Sequence, residues 1–258
     1  MGETVYAIAA GKGGVGKTTT AVNLGVVLAQ GGQTVVVVDA DLAMTNLGQR
    51  LGIDHEPGIQ QVLAGDAPVR DAVVKGPAGL AVVAGDRRLE SFAAADPSEL
   101  SRVLDLLSVA YDVVLVDTGP GVQRDTVVTY READGVVLVT TPSAVAIEDA
   151  NRTADMAADA DCQPIGTVVT MADGDTDPGD IDGLDAEPLA VVPTHETGGP
   201  ITASRPASDA AGAYRTLAAA LPGVDSEAVV PDEPVPDSDD SGDSDPVADD
   251  DGEDTVTP

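Results

Sequence analysis

The run Gly11-Lys12-Gly13-Gly14-Val15-Gly16-Lys17-Thr18 constrains this chain more than any other stretch. It fits the pattern G-x-x-x-x-G-K-[ST], in which glycines let the backbone curl and turn successive N–H groups toward phosphate oxygens. Lys17 would reach the β/γ-phosphates of a nucleotide, and the Thr18 hydroxyl would take a Mg²⁺ coordination position. The pattern carries that meaning between a strand and a helix start. Upstream, "TVYAIAA" reads as a strand. Downstream, residues 17–30 place apolar side chains at helical spacing and end in Gly31-Gly32, a glycine stop. One lysine is enough to hold a nucleotide phosphate, so Lys12 asks for a second explanation.

The rest of the chain repeats the alternation of strand and helix. Apolar runs at 34–41, 80–86, 111–121, 134–142, 165–171 and 189–193 are continuous in place of alternating, as in strands buried on both faces. Helical patterns are expected at 58–65, 97–109, 143–159 and 207–220. The expected fold is therefore α/β: a single P-loop NTPase domain over residues 1–221, its mostly parallel sheet covered by helices on both faces. Residues 222–258 carry 14 of the 45 acidic residues and none of the 13 basic ones. A segment so poor in apolar residues is expected to be a disordered acidic tail.

Charge narrows the function classes. The formal net charge is −32, and only three lysines occur: Lys12, Lys17 and Lys75. Such a surface repels nucleic acid and anionic lipid at ordinary salt, which argues against both as direct partners. It suits a cytoplasm of very high salt, where screening removes the self-repulsion. The single Cys162 excludes an internal disulfide and a multi-cysteine metal site within one chain, and a small semi-buried side chain is expected there. His55 and His195 are isolated and form no metal pattern. The first apolar run is short, lacks a basic leader and leads straight into the glycine loop, so a cytoplasmic location is expected.

Ligands of an open parallel sheet collect at the carboxyl ends of its strands. Asp39 and Asp41 end the second run, and Asp117 follows four apolar residues in "LVDTGPG". Asp117 has the arrangement of a carboxylate that holds Mg²⁺ beside a phosphate loop, and one of the first pair could orient an attacking water. Aspartates at strand ends also serve as turn and helix-cap residues.

Four segments, "KGGVGKTTTAVNLGVVLA", "VVVVDADLAMTNLG", "YDVVLVDTGPG" and "VVPTHETGGPITASRPASDAAGAYRTLAAAL", occur in an order that resembles the deviant Walker A ATPases of the MinD/ParA group. The resemblance covers roughly residues 4–221. It implies that Lys12 is the signature lysine, which reaches across an ATP-dependent homodimer to the partner's phosphates. A cation supplied in trans is the device of an arginine finger, worth on the order of 10³–10⁵ in rate. Gly13 to Thr19 would cradle phosphate and Mg²⁺ with Gly11 and Lys12 opening the loop. Asp41 would position the water, and Asp117, with Thr18 and Asp39, would hold the metal. Asp149, in "TPSAVAIEDANR", would pair with the signature lysine, and Thr170 and Pro193 would meet the base. Family members often carry an asparagine for adenine where this chain has Thr170 and Met171. No lysine or arginine follows Arg215, so direct membrane binding through a basic helix like that of bacterial MinD is not expected from the tail.

The resemblance implies a slow ATPase switch that dimerises on ATP, requires Mg²⁺, and acts with an unidentified protein partner to position a division, motility or chemosensory assembly, with localisation set by that partner. A ParA-like DNA-partition ATPase is the alternative. An iron–sulfur carrier of the Mrp branch would need the paired cysteines that this chain lacks.

Overall fold

Alternate side chains of each apolar run point to opposite faces of one sheet, and both faces are covered. In the computed structural model, which describes residues 4–121, 123–195 and 199–229, β1 (Thr4–Ala9) buries Tyr6 and Ile8 on one face and Val5, Ala7 and Ala9 on the other. β2 (Val35–Ala40) divides Val35 and Val37 from Val36 and Val38 in the same way. Burial on both faces removes any need for polar positions, which is why the runs read as continuous.

The strands order as β3-β4-β2-β5-β1-β6-β7-β8, with β3 (Val73–Lys75), β4 (Ala81–Val83), β5 (Val113–Thr118), β6 (Gly135–Thr140), β7 (Pro164–Ala172) and β8 (Pro188–Pro193). All neighbours pair in parallel except β3, which runs antiparallel to β4 at the edge. From β1 the chain crosses to β2 on one side, while from β5 it crosses to β6 on the other. The connections part at β1, and ligands of such sheets bind in the crevice at that switch point.

α1 (Lys17–Gln30) covers one face together with α9 (Ile201–Ser204) and α10 (Asp209–Ala220). A buried amide network ties them: Asn23 Nδ2 donates to the Thr19 carbonyl at 2.8 Å, and its Oδ1 accepts from Thr202 N at 3.1 Å and Thr202 Oγ1 at 3.0 Å. α2 (Leu47–Leu51), α3 (Ile59–Leu63), α4 (Val69–Ala72), α5 (Leu89–Ala94), α6 (Leu100–Ser108), α7 (Arg124–Glu132) and α8 (Ala144–Asp159) complete the order up to β7. α3 and α6 pack behind β2 and β5, while α8 and Cys162 lie behind β6. Cys162 is fully buried, deeper than its sequence position implied, and burial pushes its thiol up to about 11.

The described residues run past the expected boundary at residue 221. Tyr6 donates its hydroxyl proton to the Pro222 carbonyl, and α11 (Ser226–Val229) sets Val229 against Gly31 at the end of α1. Val229 is buried there, while its acidic neighbours Asp225 and Glu227 stay exposed to water. The remainder of the expected tail, 230–258, lies outside the described residues.

Candidate nucleotide-binding site

The glycine loop joins β1 to α1 at the crevice. Gly14 (φ 83°) and Gly16 (φ 100°) take left-handed conformations that side chains rarely adopt, and a Cβ added at Gly13 or Gly14 would meet nothing within 4 Å. The loop is therefore an open cradle. Gly16 caps α1 with no side-chain acceptor, so the first N–H groups of the helix remain available to an anion. Lys17 and Thr18 are buried at the same end.

Two neighbours hold the loop from beneath. Thr170 Oγ1 lies 2.5 Å from the Val15 carbonyl and 2.9 Å from the Thr140 carbonyl, and it can donate to either. Its hydroxyl is buried under the phosphate loop and committed to it. Gly11 packs on α8, where an added Cβ would lie 2.4 Å from the Asp149 carbonyl oxygen. Asp149 does adjoin the loop, but its carboxylate pairs with Arg152, one helical turn on, at 3.5 Å. Among the described residues no Lys12–Asp149 ion pair forms, because Arg152 already faces that carboxylate.

Three aspartates converge at the carboxyl ends of β2 and β5. Asp39 and Asp117 are register partners across the two strands, and both are fully buried. Asp39 Oδ2 accepts from Asn46 N at 3.1 Å and Leu47 N at 3.0 Å, so it caps α2. That role makes Asp39 a helix-positioning carboxylate first, as strand-end aspartates often are, and leaves only Oδ1 for other work. Thr18 and Lys17 lie close enough to Asp117 to oppose the rise that burial imposes on its carboxyl. Burial raises both carboxyls, that of Asp39 further through the charge of Asp117. Asp41 Oδ1 accepts from Met44 N at 3.1 Å; burial raises its carboxyl while Lys17 opposes the rise.

The oxygens Asp39 Oδ1 and Asp117 Oδ1 are buried with no hydrogen-bond partner. Orphaned carboxylate oxygens beside the Thr18 hydroxyl are hard donors that fit Mg²⁺. Among the described residues no group of three or more His, Cys, Asp or Glu side chains is arranged to hold a metal. Mg²⁺ that takes one or two protein carboxylates and its other ligands from phosphate and water needs none.

A cleft of about 420 Å³ opens above these groups, lined by Gly13, Lys17, Thr18, Asp41 and Pro120. Its far wall is α2 and the segment after β4, which bring Arg50 and Arg87 to the rim. Neither arginine stood out in the sequence. Asp125 was missed as well: buried in the first turn of α7, its Oδ1 accepts from Thr126 N at 2.9 Å, and it adds its charge to the field at Asp41. Pro193 ends β8 half-buried, its carbonyl 3.0 Å from His195 Nδ1. A register shift between Thr170 and Ala172 leaves Met171 at φ 55° with its side chain exposed beside Pro193.

Residues 3–158 match the family model described as an AAA domain. The chain resembles the cell division ATPase MinD of Pyrococcus furiosus, with a TM-score of 0.79, 32% identity, and coverage of 85% of this chain and 98% of that one. The chain belongs to the MinD/ParA family of P-loop ATPases. The septum site-determining protein MinD of Pyrococcus horikoshii, solved as a complex with Mg-ADP, is similar at 30% identity and a TM-score of 0.77, over 84% of this chain and 94% of that one. An uncharacterized ATP-binding protein of Methanocaldococcus jannaschii is 40% identical over 145 residues, 56% of this chain and 55% of that protein. The aligned segment spans little more than half the length of such curated relatives.

Nucleotide with Mg²⁺ is held by solved members of the family, the Pyrococcus horikoshii protein as its Mg-ADP complex. Among the described residues of this MinD/ParA-family chain, no helix is long and apolar enough to cross a membrane.

Proposed function

We propose that this chain is an ATP-driven molecular switch that pairs with a second copy across its nucleotide cleft and helps to place a cellular assembly. The observation that carries the reading is the place of Lys12, a second lysine inside the glycine loop with no acidic partner among the described residues. The chain has 45 acidic residues against 13 basic ones, yet among the described residues Lys12 forms no ion pair. A cation kept free at the mouth of an anion cradle, in so acidic a molecule, is suited to a phosphate that arrives from outside its own loop.

The apolar surface supports the same geometry. Leu89 (79% exposed) and Phe92 (43% exposed) lie on α5 just after Arg87, and Met44 lines the cleft itself. Val145 and Met171 are exposed at the carboxyl ends of β6 and β7, on the same edge of the sheet. A second copy seated over the cleft would cover such side chains.

In this reading Lys17 and the N–H groups of the loop take the polyphosphate charge, while Thr18 and Asp117 hold Mg²⁺. The bound metal would supply charge neutralisation at the transferring phosphoryl group. Asp41, fixed through one oxygen by Met44, keeps the second free of protein donors to orient a water. Lys12 of the opposing copy completes the neutralisation, so turnover waits for pairing and is slow in a lone chain. The net charge of −32 argues against a DNA-riding cycle and for a protein partner that sets location, be it at a division, motility or chemosensory assembly.

Phosphate release measured against protein concentration in molar KCl tests the reading. The turnover number should rise with concentration in the native chain and stay low and flat in Lys12→Ala. A turnover number independent of both concentration and Lys12 would contradict it.

A further inference from the structure

Arg50, near the end of α2, is the cation that the glycine-loop pattern does not explain. Its Nη1 donates to Thr19 Oγ1 at 3.1 Å and its Nε to Asn46 Oδ1 at 3.2 Å. Both acceptors are neutral, and among the described residues the guanidinium has no carboxylate partner. Arg70, Arg88, Arg102 and Arg152 pair with acids, whereas Arg87 and Arg215 also bond neutral acceptors; what sets Arg50 apart is its bond to the glycine-loop residue Thr19. Arg50 lines the cleft with Lys17 and Thr18 and is near enough to Asp117 for its charge to act there. The Thr19 hydroxyl accepts from Arg50 and, among the described residues, gives its own proton to no group.

We propose that Arg50 is a polyphosphate-positioning residue supplied in cis: its remaining N–H donors and the Thr19 proton that it orients both meet phosphate oxygens of the nucleotide. The inference rests on the nucleotide reading above and adds a division of labour to it. Arg50 acts within one chain and sets binding, whereas Lys12 acts between chains and sets pairing. A planar guanidinium held through two of its nitrogens is a pre-organised donor for phosphate, which a flexible lysine would match only in charge.

Calorimetric titration of the full chain in molar KCl with Mg-ADP, and separately with Mg-pyrophosphate, tests the assignment. Arg50→Gln should weaken both ligands by the same factor, about tenfold or more, and Arg50→Lys should recover part of the loss. Arg70→Gln, which removes the same charge outside the cleft, should lose nothing. Affinities for both ligands within about twofold of native in Arg50→Gln, a free-energy change under roughly 0.5 kcal/mol, would overturn the assignment and leave the nucleotide reading intact. So would a loss confined to Mg-ADP, or one that Arg50→Lys does not relieve at unchanged thermal stability. A native chain that bound neither ligand would overturn both.

Discussion

Asp39 and Asp117 face each other across β2 and β5 with one unpaired oxygen apiece, so the ligand-free protein carries an electrostatic cost at neutral pH. Burial first, and neighbouring carboxylates second, hold both pKa values above those of the unfolded chain. The native state therefore retains protons that the unfolded chain has released, and stability falls as pH rises through the raised values. The favourable contribution is complete below about pH 4, the ordinary carboxylate range. Asp39→Asn removes the charge and keeps an acceptor for the N–H groups of Asn46 and Leu47. Without nucleotide, its Tm by calorimetry should exceed the native value at pH 8, by roughly 2–4 °C for each kcal/mol relieved, and should match it near pH 4. Equal melting at pH 8 would mean that the pair costs nothing. Asp41→Ala should bind ATP and pair normally but release phosphate about 10²–10⁴-fold more slowly; turnover at the native rate would remove Asp41 from the water-orienting role. Thr170→Val deletes the hydroxyl beneath Val15 at nearly constant volume, a loss of about 1 kcal/mol, and titration should find Mg-ADP bound severalfold more weakly.

At the level of elements, the loop, α1 and the central strands were legible because their signals are local. The phosphate pattern needs eight consecutive residues, and a strand buried on both faces advertises itself as an apolar run. What escaped depended on distant chain. α7 reads "RDTVVTYRE", rich in β-branched residues that weaken a helical signal, and it forms because Thr126, Thr129 and Tyr130 are buried. β3 is three residues long and exists only as the antiparallel neighbour of β4. That Asp39 also caps α2, whose first N–H groups lie eight residues downstream, is not legible from its own neighbours in sequence. The tail boundary fell early because nothing local shows that Val229 fills the space beside Gly31. Val229→Asp should therefore destabilise the full chain by about 1–3 kcal/mol, seen as a lowered Tm, whereas an unchanged melt would make α11 a passive attachment.

For the whole molecule, charge decides the working conditions. The surface ion pairs among the described residues are exposed and contribute little each, while the net charge of −32 opposes compaction wherever it is unscreened. Stability should rise steeply between dilute buffer and molar KCl, followed by calorimetry; a fold and turnover indifferent to salt would count against a high-salt habitat. The claim that joins the site to the function is that ATP makes two chains into one unit through Lys12. Light scattering in molar KCl, with Mg-ADP and then Mg-ATP, reads this directly. The native chain should pass from monomer to dimer mass on ATP, and Lys12→Ala should weaken that shift. A mass that ignores the nucleotide would contradict the switch and leave a phosphate-binding fold without its cycle.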